Sequence, residues 1–209
     1  MRSIVSLTVL CMVTLLAMPA LAGKPVLPQL TPKQQQELDS GKLVFVTEKR
    51  SEGPSVVTGL AKIRVGHDRL WSLLLDTREI KRASKSVREL ETYMDAPGPA
   101  GTRVIKLNYL VKSGPIELRY YVKREYIQAE RYMTWTLDTE QASDIVATTG
   151  SYSTHDTSTD GQVLFLYRAS VDVGKNVPAW IEERLAASSL KRYLLHIKEI
   201  AETGEVQSR

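Results

Sequence analysis

An α+β domain, in which an antiparallel sheet is covered by one long C-terminal helix, is predicted by three observations. Between Val87 and Val171 six segments alternate apolar and polar residues with period two and are separated by short turns. Strands joined by such short turns pair as antiparallel neighbours, because a parallel return needs a dozen or more residues. After the last strand, Asn176 to Glu202 carries apolar residues at helical spacing: Val177, Ile181, Leu185, Leu190, Tyr193, Leu194, Ile197 and Ala201. A helix of that length spans about 40 Å and can cross a whole small domain.

The chain opens with a leader. Arg2 supplies a positive start, Ile4 to Met18 is an apolar run too short to span a bilayer, and Ala20-Leu21-Ala22 is a small-x-small cleavage site before Gly23. A signal peptide over 1–22 is expected, and with it a periplasmic or secreted location. The single cysteine, Cys11, lies inside the leader. The mature chain therefore forms no disulfide, holds no thiolate-bound metal and has no cysteine nucleophile. With 28 basic against 24 acidic residues, the net charge of +4 is a weak, dispersed excess. It gives no reason to expect nucleic acid and is compatible with a transient contact to anionic membrane surfaces.

An N-terminal extension over 23–42 carries a short helix: Thr31 is its cap, Pro32 its first residue, and Gly41 follows its end. The main domain is expected over 43–203, and residues 204–209 form a flexible tail. Two strands, Leu43–Lys49 and Ser55–Val65, flank the turn Ser51-Glu52-Gly53-Pro54. Gly66-His67-Asp68 then caps a short helix, Arg69 to Leu75, and Asp76-Thr77 caps a second that runs to about Ala83. The remaining strands are Val87–Met94, Thr102–Val111, Ile116–Tyr126, Tyr132–Leu137, Ile145–Tyr152 and Val163–Val171.

Alternation assigns the faces. Ile105, Leu107, Tyr109 and Val111 share one face, as do Ile116, Leu118, Tyr120 and Val122, then Met133, Trp135 and Leu137, then Val163, Phe165, Tyr167, Ala169 and Val171. The opposite face, with Lys106, Asn108, Glu117, Arg119, Lys123, Thr134 and Thr136, is expected to meet water. The terminal helix is the element long enough to cover the apolar face. Asn176 and Pro178 open it, Gly204 follows its end, and its middle thins to Ala186, Ala187, Ser188 and Ser189.

Chemistry-bearing patterns are sparse. His67 falls at a strand-to-helix junction as a cap or surface residue, and His196 falls at the rim of the long helix's buried face. His155 stands beside Asp156, but neighbours in a strand point to opposite faces. No HExxH, CxxC or GxSxG occurs, so no catalytic residue, metal ligand or cofactor is assigned. The basic run Lys81-Arg82, Lys85 and Arg88 is either a solvated surface or a head-group contact beside a cavity mouth.

The order of elements, the run from Ala61 through Trp71 to Asp76, Gly150-Ser151-Tyr152 where Gly-x-Trp is frequent, and Val177-Pro178-Ala179-Trp180 opening the long helix together resemble the START-like (SRPBCC) superfamily. This superfamily includes lipid-transfer domains and polyketide cyclase/dehydrase-type proteins. The resemblance covers about Thr31 to Glu202. It implies the helix-grip arrangement, a strongly curved antiparallel sheet wrapped around the C-terminal helix. It also implies a hydrophobic small molecule or lipid held between the two, by a protein expected to be monomeric. The residues expected to flank such a cavity are Leu107, Tyr109, Leu118, Tyr120, Trp135 and Tyr167 from the sheet, with Trp180, Leu185, Leu190 and Tyr193 from the helix. Three functions fit this reading: a carrier, a cyclase or dehydratase using the same cavity, and an interaction protein whose own side chains fill the core.

Overall fold

Thr31 caps the first helix as its sequence predicts. Its hydroxyl accepts from the Gln34 amide while the Gln34 side chain accepts from the Thr31 amide, and Pro32 follows at the first position. The computed structural model describes residues 24–51, 53–174 and 189–204. Its helices are α1 (Pro32–Asp39), α2 (His67–Leu75), α3 (Thr77–Ala83) and α4 (Ser189–Thr203). The strands are β1 (Val44–Glu48), β2 (Val56–Ile63), β3 (Val87–Pro97), β4 (Arg103–Ser113), β5 (Ile116–Ile127), β6 (Tyr132–Leu137), β7 (Ala147–Asp156) and β8 (Val163–Asp172). The portion of the long helix predicted over residues 176–188 lies outside the described residues.

One sheet runs β1–β2–β8–β7–β6–β5–β4–β3 with every neighbouring pair antiparallel. Only β2 to β8 joins elements distant in sequence, which brings the first hairpin beside the last strand. α4 packs on β2, α2 and α3. The main core lies between sheet and helices and includes Phe165, Leu107, Met133, Trp71, Leu190, Leu194 and Ile197. Gly59 sets how closely α4 approaches: a Cβ there would lie 2.3 Å from Leu194 Cδ1 and 2.6 Å from Leu190 Cδ2.

Three expectations need correction. First, the outer face is not simply wet. α1 and the segment before it cover its β1–β2–β8 end, where Leu38, Val44, Leu60, Leu164 and Leu166 form a second core. These strands are apolar on both faces because both faces are covered. Second, Lys106 is buried on that outer face, paired with Asp138 at 3.0 Å and with Glu140, while the Tyr93 hydroxyl donates to Asp138 at 2.5 Å. Burial pushes the Asp138 carboxyl up, but the Tyr93 and Lys106 hydrogen bonds hold it below its ordinary value. Third, β7 starts later than the predicted Ile145 and runs past the predicted end at Tyr152, so Ser153 to Asp156 belong to a paired strand.

The edge strand β3 carries two register shifts, at Val87/Glu89 and Thr92/Met94, and ends at Pro97. Bulges and a terminal proline are ordinary devices for keeping a sheet edge from pairing further.

Candidate functional site

The inward side chains in the middle of the sheet do not pack fully against α4. They line a cavity of about 130 Å³. Its walls are Tyr109, Tyr120, Arg124, Trp135, Tyr152 and Tyr167 from β4 to β8, Tyr193 and Ser189 from α4, and Ile80, Ser84 and Val87 from α3 and the start of β3. The strand register explains the grouping. Tyr109 is opposite Tyr120, Arg124 opposite Trp135, and Tyr152 opposite Tyr167, so all six project to one face.

The rings brace one another. Tyr109 and Tyr120 stack with centroids 5.0 Å apart and planes within 3°. Tyr152 meets Tyr167 edge-on at 4.8 Å and lies nearly parallel to Tyr193 at 5.8 Å, while Trp135 is edge-on to Tyr152 at 5.1 Å. The space for the Trp135 indole exists because residue 150 is glycine: a Cβ there would lie 2.1 Å from Trp135 Cζ2.

Arg124 is the charged group of this lining, and it is 4% exposed. Its Nη2 donates to the Tyr109 hydroxyl at 2.8 Å, its guanidinium carbon stands 5.9 Å from the centre of the Tyr152 ring, and its Nε–H has no partner. No carboxylate among the described residues pairs with it. The Tyr193 hydroxyl is also unpartnered; it lies near Tyr152 without hydrogen-bond geometry. Burial pushes the phenols of Tyr120, Tyr152, Tyr167 and Tyr193 well above their ordinary value, so they are neutral donors. A guanidinium stays protonated at any physiological pH. Among the described residues no histidine or carboxylate lines the cavity. The arrangement can enclose an apolar body and hydrogen-bond an acceptor, and its described residues include no histidine or carboxylate to exchange a proton near neutral pH.

Of the residues expected at the cavity, Tyr109, Tyr120, Trp135, Tyr167 and Tyr193 line it. Leu107 and Leu190 are packed in the main core, Leu190 in the space left by Gly59. Leu118 falls in a small separate cluster with Ile145 and Val173. Trp180 and Leu185 lie outside the described residues. Arg124 and Tyr152 were missed by the sequence reading. Arg124 was detectable, because the period that turns Leu118, Tyr120 and Val122 inward also turns residue 124 inward.

The histidines do other things. His67 is the first residue of α2 and not its cap, which is Gly66. Trp71 Nε1–H donates to the Thr154 hydroxyl at 2.9 Å, His67 Nδ1 sits 3.0 Å from that hydroxyl, and His67 Nε2 sits 2.8 Å from Asp156. This relay ties α2 to β7. Asp156 thus partners His67 and leaves His155 to Ser153, whose hydroxyl is 3.2 Å from Nε2. His196 Nε2 meets the buried Glu79 carboxylate at 2.7 Å, and Glu79 also pairs with Arg82, which fastens α3 to α4. No cluster of three or more His, Cys, Asp or Glu suited to a metal occurs among the described residues.

No family model matches the sequence, and no curated protein matches it. Solved structures do match. A START superfamily protein from Mycobacterium smegmatis superposes with a TM-score of 0.57 at 14% identity, over 73% of this chain and 100% of its own. The Zhui aromatase/cyclase from Streptomyces sp. R1128 gives 0.54 at 13% identity, over 71% of this chain and 96% of its own. A STAR-related lipid transfer protein from Xanthomonas axonopodis gives 0.51 at 14% identity, over 74% and 97%. With a curved antiparallel sheet closed by a C-terminal helix and matched along nearly the whole length of these structures, the chain has the START-like helix-grip fold.

Proposed function

We propose that this chain binds and carries a hydrophobic, lipid-like small molecule in the cavity between sheet and α4. The observation that carries the reading is the cavity itself, an aromatic-lined space with a few polar tips, as expected of a small-molecule site. The structural neighbours include one protein described as lipid-transferring and one described as an aromatase/cyclase. Carriage is preferred over cyclisation because the described residues of the lining include no histidine or carboxylate that could act as acid or base near neutrality. The volume sets a limit: an apolar cavity of about 150 Å³ holds one benzene ring, so the enclosed space suits a ring or a short chain segment.

The leader 1–22 supports export to the periplasm or beyond, with Gly23 as the mature N-terminus. Lys81, Lys85 and Arg88 are exposed on the same segment that supplies Ile80, Ser84 and Val87 to the cavity, which supports a transient contact with anionic membrane surfaces during loading.

Native mass spectrometry of the protein from its own host tests the reading. A chain beginning at Gly23 with a retained apolar ligand is expected. In parallel, Ser189→Leu, placed at the cavity wall, should weaken displacement of a fluorescent lipid while leaving the melting temperature nearly unchanged. A protein with no retained ligand and no lipid uptake, in which Ser189→Leu costs about 1–3 kcal/mol through overpacking, would instead have a filled core.

A further inference from the structure

We infer that Arg124 is the anchor for an anionic head group, and that the ligand class is an amphiphilic monocarboxylic acid bound with its acid end inward. The inference rests on the carrier reading of the cavity and names what that cavity selects.

Arg124 is held inside the fold, yet one tyrosine hydroxyl is its only hydrogen-bond partner among the described residues. Its Nε–H is buried without an acceptor. A buried cation is ordinarily matched by a carboxylate, since an unmatched one loses its hydration and recovers little. The other polar groups of the lining cannot supply the missing charge. The tyrosines are neutral donors, and Ser84, Ser86, Thr148 and Ser189 carry hydroxyls. The face of the Tyr152 ring offsets part of the cost but accepts no hydrogen bond in the plane of the fork. A water molecule could satisfy one N–H, but it brings no charge.

What does fit is a planar monoanion. A carboxylate presents two oxygens in the geometry of a guanidinium fork, and a single guanidinium balances a single negative charge. The Tyr193 hydroxyl, unpartnered in the same cavity, offers an additional donor. The apolar remainder of such a ligand would lie against the rings of Trp135, Tyr152 and Tyr167, which line the same cavity. Without the Arg124 charge, the same cavity would favour neutral hydrocarbons.

Matched probes separate this inference from the carrier reading. Octanoate with octanol, and phenylacetate with phenethyl alcohol, pair one skeleton with charged and neutral ends. Titration calorimetry at neutral pH on the mature protein should show each acid bound about tenfold or more tightly than its alcohol, the size expected of one charge-assisted contact. Arg124→Met should bring acid and alcohol to near parity while keeping alcohol binding, and Arg124→Lys should keep part of the preference. If the alcohols bind as well as the acids to the wild-type protein, or if the preference survives Arg124→Met, the acid anchor is refuted and the carrier reading stands. If none of the four probes binds, both fail. The wild-type comparison decides the matter even if a variant does not fold.

Discussion

The contact between Gly150 and Trp135 lets a single methyl group test floor and function together. In Gly150→Ala the new Cβ would sit 2.1 Å from Trp135 Cζ2, 2.5 Å from Trp135 Cε2 and 2.4 Å from the Arg168 carbonyl oxygen. Ordinary contact between carbon atoms is about 3.5–4.0 Å, so the indole must retreat by about 1.5 Å. The indole can swing, but the carbonyl belongs to β8, paired with β7 at that point, and can move only with its strand. Overpacking of this kind costs up to about 3 kcal/mol, and replacing glycine within a strand returns about 0.5–1 kcal/mol of backbone entropy. The net loss is about 2 kcal/mol. For a domain of this size that lowers the melting temperature by about 4–8 °C. The indole's retreat leads into a cavity of about 130 Å³, so ligand uptake should fall as well. Thermal melts and lipid displacement, both on Gly150→Ala, measure the two effects. A variant that melts within a degree of the wild type and takes up ligand normally would mean that Trp135 is not fixed over residue 150, and the account of the cavity floor would be wrong.

Two further perturbations follow from the buried polar groups. The half-buried His155 has its pKa lowered from 6.5, first by burial and then by Lys24. The unfolded chain therefore binds the proton more tightly, and stability present above pH 6.5 is lost as pH falls through the lower folded-state value. Melts across that window should show a decline that His155→Asn removes; an unchanged decline would place its origin elsewhere. Glu79→Ala leaves His196 and Arg82 without their common partner, and because the Glu79 carboxylate is 3% exposed the cost should be about 3 kcal/mol. Arg82→Ala, at a side chain 52% exposed, should cost under about 1 kcal/mol in the same urea titration. Equal costs for the two would show that the His196 contact contributes nothing.

The strands were legible because their period is two and one face is buried. Tyr109, Tyr120, Trp135 and Tyr167 could be grouped before their register was known, since the same parity places them all inward. Parity also pointed to Arg124, but a charge in an otherwise apolar series reads as a strand end turning to water, and Tyr126 beyond it is needed to show that the inward face continues. Leu164 and Leu166, interleaved with Val163, Phe165 and Tyr167, carry the pattern of a strand buried on both faces, a signal that the expectation of a wet outer face passed over. The pairs Lys106–Asp138 and Glu79–His196 were not legible. They depend on how distant strands and helices are brought together, which no local pattern encodes. Leu118 and Leu190 show the limit of face assignment: both are buried, but a shared face does not say which part of it stays unfilled.

The position of the empty space follows from where volume is missing and where it is in excess. At the β2 end, Gly59 removes a side chain and Leu190 and Leu194 settle onto the sheet. Toward the middle, Tyr193 on the same helix lies nearly parallel to Tyr152 and edge-on to Tyr167, so rings make the contact between helix and sheet there. Gly150 lets Trp135 lie into the sheet surface instead of rising to fill the gap. The same turns of α4 thus rest on the sheet through Leu190 and Leu194 and on aromatic rings through Tyr193, and the cavity lies on the aromatic side. Filling it from its two sides should therefore have unequal consequences. A leucine at Ser189 enters the lined space from the helix side and should weaken uptake for less than about 1 kcal/mol of stability. A methyl at Gly150 enters through the floor, meets backbone as well as the indole, and should reduce uptake at a cost of about 2 kcal/mol. Equal stability losses in the two variants would mean that the space beside Tyr193 is a packed core with no preferred side.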